Sequence, residues 1–119
     1  MVRSPLARLD DIDNTLTRLL ALAKDRTPAD LSDDWGFGQA CHYALHTIGE
    51  AAKHLPANLR AKYPEVPWHD VMTLRDILSH EYFRIDQDVI WEVLTTHLRP
   101  LHKTIKRMIA DADQPALPL

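Results

Sequence analysis

Thr73-Leu74-Arg75-Asp76-Ile77-Leu78-Ser79-His80-Glu81-Tyr82-Phe83 continues an apolar pattern that starts at Trp68 and passes Val71, Leu74, Ile77 and Leu78. That three- and four-residue spacing is the signature of one buried helical face. Arg75, His80 and Tyr82 interrupt it with chemistry that a core face does not need. The same helical period recurs on both sides, and no alternating strand pattern competes with it. The economical architecture is an all-α, four-to-five-helix up-and-down bundle.

Working outward, Ser4 supplies a capping hydroxyl and Pro5 a pre-set first helical position. Leu6, Leu9, Ile12 or Asp13, Leu16, Leu19, Leu20 and Ala23 follow at helical spacing, with an end expected near Lys24 or Asp25. The connection from Thr27 to Gly38 holds turn formers and acidic residues around a possible helical turn, with Trp35 and Phe37 expected as its anchors. A second long helix should begin between Asp34 and Gln39, run to His54 and stop before Pro56, burying Cys41, Leu45, Ile48, Ala52 and Leu55. A short helix over 58–62 leads to an extended link bracketed by Pro64 and Pro67, and Trp68 opens the third long helix. Asp86 is a candidate cap for the last helix, whose stripe is Val89, Ile90, Val93, Leu94, Leu98, Leu101, Ile105, Met108 and Ile109; Pro100 should kink that helix without ending it. Residues 1–112 read as one domain and 113–119 as a tail without helical period.

The composition narrows the classes of function. The chain has 119 residues, 45% of them hydrophobic and 26% charged, with only three glycines, as expected of a globular domain with one core. No apolar run reaches membrane-spanning length and no secretory leader is evident, so cytoplasmic residence is the expectation. Cys41 has no intramolecular disulfide partner and reads as a small core residue. A net charge of −3 is the wrong sign for a protein that grips long nucleic acids electrostatically. RNA contact would be confined to a pocket, or helped by a second subunit.

Arginine is a permanently charged donor fork suited to phosphate, and imidazole titrates near neutrality. Arg75 and His80 are therefore candidates for metal-free phosphodiester chemistry. Five positions on a regular helix correspond to about 500° of rotation, which leaves the two side chains roughly 140° apart. The long reach of arginine, a loosened helix, or a twofold dimer that sets two copies face to face would bring them together. The competing structural reading pairs Arg75 with Asp76, Glu81 or Asp86 and leaves His80 as a cation at a helix end.

Arg75-x4-His80-x-Tyr82 resembles the signature of HepT-like toxins in the HEPN superfamily. The resemblance extends in order and spacing over about residues 6–110, through Ile48-Gly49-Glu50-Ala51-Ala52-Lys53 with Leu55-Pro56, Tyr63-Pro64-Glu65-Val66-Pro67-Trp68, and Tyr82-Phe83-Arg84-Ile85-Asp86 leading to Val89-Ile90-Trp91. It implies a homodimeric HEPN-like helical ribonuclease with paired signatures lining a cleft. Arg75 and His80 would be catalytic, with Asp76 orienting Arg75 and Glu50 bracing Arg75 or the dimer face. Asp76 stands where the family often has asparagine, and makes the site less cationic. Tyr82 would receive AMP from a partner, a minimal nucleotidyltransferase antitoxin, and the added negative charge would block the cleft. The rival class is a non-catalytic HEPN module that binds the nucleotidyltransferase or a nucleotide.

His42, His46, Glu50 and His54 recur every four residues, and neighbours at that spacing can chelate a divalent ion. The run drifts about 40° per step, away from any single metal. A metal-binding bundle is therefore the third class, and neither metal nor cofactor is expected. His69, His97 and His102 are expected on helix surfaces, and Trp68 and Trp91 in packing positions and not under bases.

Overall fold

The structure is a computed structural model and describes residues 3–73 and 87–113. Helix α1 spans Pro5–Ala23; the Ser4 hydroxyl accepts the Ala7 N–H at 3.1 Å, as the Ser-Pro start predicts. Leu9, Ile12, Leu16 and Leu19 are its buried stripe. The chain leaves the helix at Lys24 and turns through Asp25, which takes a positive φ of 63°, a conformation aspartate tolerates better than most residues.

The connection does contain a helical turn, α2 (Asp30–Asp33), with Leu31 buried beneath it. Asp34 then caps α3 (Trp35–Lys53) by accepting the Phe37 N–H at 3.1 Å. The corner is fastened by Arg26, which donates to Asp34 at 2.8 Å and lies 4.6 Å from the centroid of the Phe37 ring. Phe37 is the buried anchor the sequence predicts, but Trp35 is not: its side chain is 76% exposed. At Gly38 a Cβ would run into the backbone carbonyl of Leu31, so glycine is what lets α3 lie against α2.

Helix α3 ends at His54, ahead of Pro56, and α4 (Ala57–Ala61) follows. Tyr63 and Val66 point inward from the proline-bracketed link, and the Trp68 indole donates to the Tyr63 carbonyl at 3.1 Å at the entrance to α5, described over residues 68–73. The last rod consists of α6 (Gln87–Glu92), one wide π turn (Val93–His97) and α7 (Leu98–Asp113). Proline cannot donate to the carbonyl four residues back and its ring collides with that group. A wide turn just upstream, in which the Leu98 N–H reaches the Val93 carbonyl, accommodates Pro100 without ending the helix.

The core joins Leu9, Ile12 and Leu16 of α1 to Cys41, Leu45 and Ile48 of α3 and to Ile90, Leu94, Ile105 and Met108 of the last rod. Val89 departs from its expected stripe and is 48% exposed, whereas Trp91 packs partly buried against the core. All regular structure among the described residues is helical, as an all-α bundle requires, and no helix among them is long and apolar enough to cross a membrane. The Asp86 cap lies outside the described residues.

Candidate functional site

Arg75, Asp76, His80 and Tyr82 lie outside the described residues, so the structure frames this segment by what stands before and after it. On the entry side, α5 is held by the buried Trp68 and its bond to the Tyr63 carbonyl. On the exit side Ile90 is fully buried, fixing α6 to the core. The link that positions α5 is itself fastened to α7. The Tyr63 hydroxyl donates to Asp111 at 2.6 Å, Arg107 stacks 5.2 Å from the Tyr63 ring centroid, and Arg107 also pairs with Glu65. Bonding to the Asp111 carboxylate, reinforced by burial, raises the Tyr63 pKa, so this phenol stays protonated and keeps donating.

A polar stripe runs along α3. At 100° per residue, Gln39, His42, His46, Glu50 and Lys53 fall within an arc of about 80°. All five take part in polar or electrostatic interactions. Glu50, a predicted site residue, accepts from His54 Nε2 through its Oε1 at 3.0 Å. His42 is the buried end of the stripe; loss of solvent lowers its pKa and keeps the ring neutral at pH 7. Among the described residues no three His, Cys, Asp or Glu side chains converge to hold a metal ion. On the inner face of the same helix, burial pushes the Cys41 thiol up to about 11, far from the low pKa of a nucleophilic cysteine.

One histidine sits differently from its sequence expectation. His102 is half-buried between α7 and α1, with Nε2 2.7 Å from Asp13 Oδ1 and 3.3 Å from Thr17 Oγ1. Aspartate and hydroxyl share the same ring nitrogen. A catalytic triad needs them on opposite nitrogens, so this is an interhelical tie and not a nucleophile's relay. His69 and His97 are on the surface, as expected.

The sequence profile described as Ribonuclease HepT-like matches residues 12–108, which include Glu50, the whole α5 entrance and the Arg75-to-Tyr82 signature. The chain belongs to the HepT-like ribonuclease family. It is 34% identical to a candidate RNase, MJ0127, of Methanocaldococcus jannaschii over 90% of this chain and 88% of that protein. The candidate RNase TTE0752 of Caldanaerobacter subterraneus subsp. tengcongensis is 32% identical over 91% of this chain and 96% of its own length. The probable ribonuclease HepT of Thermococcus cleftensis is 29% identical over 91% and 98%. No solved structure matches the chain. HepT-like ribonucleases belong to the HEPN superfamily, and the all-helical core described above is the framework that this membership requires.

Proposed function

We propose that this protein is a metal-independent endoribonuclease and the toxin of a toxin-antitoxin pair. The observation that carries the reading is the Arg75-x4-His80-x-Tyr82 signature, lying in order within the HepT-like match over 12–108. The ribose 2′-hydroxyl attacks its adjacent phosphorus, the bond to the 5′-oxygen breaks, and a 2′,3′-cyclic phosphate remains. His80 acts as general base on the 2′-hydroxyl or as general acid on the departing 5′-oxygen, and Arg75 offsets charge that develops on the phosphate oxygens. Asp76 orients Arg75 and Glu50 braces it or the dimer face. Two copies place their signatures in one cleft, in the cytoplasm. A minimal nucleotidyltransferase silences the toxin by transferring AMP from ATP to the Tyr82 hydroxyl, with pyrophosphate leaving, which sets negative charge where the RNA backbone would lie.

The end chemistry tests this. Wild-type protein in chelator, given RNA and the matching DNA, should cut only RNA and leave 2′,3′-cyclic phosphate ends. Cleavage of DNA, or 5′-phosphate ends on RNA, would point to an attacking water and overturn the mechanism. Incubation of the pair with ATP should add AMP to wild type and not to Tyr82→Phe. Adenylylation of Tyr82→Phe at the wild-type level would remove Tyr82 from that role.

A further inference from the structure

An acidic ribonuclease has to hold RNA by something other than a broad basic surface, and two grooves among the described residues differ in how well they could do so. The larger, about 430 Å³, lies between α3, the proline-bracketed link and the last rod; its wall is mostly aliphatic but includes the carboxylates of Glu65 and Asp70. Glu65 is paired with Arg107, but Asp70 has no ion-pair partner among the described residues and its carboxylate repels a phosphodiester. The smaller, about 260 Å³, runs between α1 and α3 past Thr15, Arg18 and Leu22 on one side and Ala40, Tyr43 and Thr47 on the other. No carboxylate lines it. Arg18 is exposed and, among the described residues, has no ion-pair partner. The Tyr43 ring is 76% exposed although it is one of the larger apolar surfaces on the helix.

Tyr43 stands about 40° around α3 from Gln39, next to the polar stripe that holds Glu50. It contributes nothing to the buried face, which passes through Cys41, Leu45 and Ile48. An exposed aromatic ring beside an uncommitted guanidinium is the combination by which proteins hold single-stranded nucleic acid. The ring stacks on any base, because every base has a π face, and the cation meets the adjoining phosphate.

We propose that the α1–α3 groove is an RNA-positioning subsite, in which Tyr43 stacks on an unpaired base and Arg18 contacts the neighbouring phosphate. The subsite rests on the ribonuclease reading for its substrate and deepens it, since it supplies affinity without sequence preference. RNA in this groove approaches the enzyme along the helix that carries Glu50. Tyr43 and Arg18 are positioning residues and take no part in bond breaking.

Binding and turnover separate the subsite from the nuclease. The full-length protein is titrated with a fluorescent single-stranded 2′-O-methyl RNA, which lacks the attacking hydroxyl and cannot be cut by the proposed route. Tyr43→Ala should weaken binding about tenfold and Tyr43→Phe, which keeps the π face, should restore it. Arg18→Gln should weaken binding and make it less dependent on salt. With cleavable RNA, Tyr43→Ala should raise KM about tenfold and leave kcat in place. Unchanged binding and KM in Tyr43→Ala would overturn the subsite while leaving the nuclease standing. The predicted binding pattern in a protein that never cuts RNA would do the reverse. Sedimentation of each variant decides whether the surface serves a second copy of the chain instead: a Tyr43→Ala protein that loses mass along with affinity overturns the proposal.

Discussion

The two faces of α3 obey different rules. Along the inner face Phe37, Cys41, Leu45, Ile48 and Ala52 are almost wholly buried, and their spacing is the helical period itself. Along the outer face Trp35 and Tyr43 are each 76% exposed among histidines, a glutamate and a lysine. Hydrophobicity explains the first set and fails for the second. An aromatic ring on the inner face lowers the free energy of the fold, whereas one on the outer face adds little to it and is free to meet a partner.

Substitutions should expose that contrast, starting with the inner face. Leu45→Ala removes a fully buried side chain and should cost about 2–5 kcal/mol in chemical denaturation, with cleavage lost only in proportion to the unfolded fraction. Gly38→Ala should follow. The strain of a Cβ against the Leu31 carbonyl, about 1–3 kcal/mol, outweighs the gain of roughly 1 kcal/mol in helix propensity. Gly36→Ala is its control: only the Asp34 carboxylate lies nearby, at 3.6 Å, so thermal unfolding should stay put or rise slightly.

His42, at the boundary of the two faces, tests the electrostatics. Its folded-state pKa is lowered by burial, so the unfolded chain takes up the proton first. Stability is therefore intact above the unfolded value of about 6.5 and falls as pH drops from there through the folded-state pKa, by at most about 1.4 kcal/mol per pH unit from this group. Denaturation at a series of pH values should show that slope in wild type and a flatter one in His42→Gln. An equal slope in the variant would assign the acid sensitivity elsewhere. The smallest effect belongs to the outer face: Tyr43→Ala should shift stability by less than about 0.5 kcal/mol, which makes its effect on KM interpretable. Native Cys41, buried and with a raised pKa, should resist iodoacetamide at pH 8 and react once the chain is unfolded.

What could be read from the sequence was local. The Ser4-Pro5 start, the stop before Pro56 and the entrance at Trp68 each depend on neighbouring residues and stand where the residue types put them. Trp35 escaped because hydrophobicity alone suggested an anchor, while the capping of α3 by Asp34 swings the next residue outward. His102 escaped for another reason. Its partner Asp13 is 89 positions away, and only the packing of α7 on α1 joins them. The last helix runs on past Pro100, as the sequence predicts, but the form this takes, a π turn upstream, depends on how the rod meets the core. The signature was visible as a spacing, which identifies residue types; convergence of Arg75 and His80 is a property of tertiary or quaternary structure that a spacing does not contain.

The central proposal is that Arg75 and His80 carry the cutting of RNA. Cleavage of a mixed RNA pool in chelator, measured beside thermal unfolding of the same preparations, tests it most directly. Arg75→Ala should lose about 100- to 1,000-fold in rate and His80→Ala about 100- to 10,000-fold, with both unfolding at the wild-type temperature. A folded, unmodified, dimeric wild type that leaves RNA intact, or either variant cutting at the wild-type rate, would contradict the account.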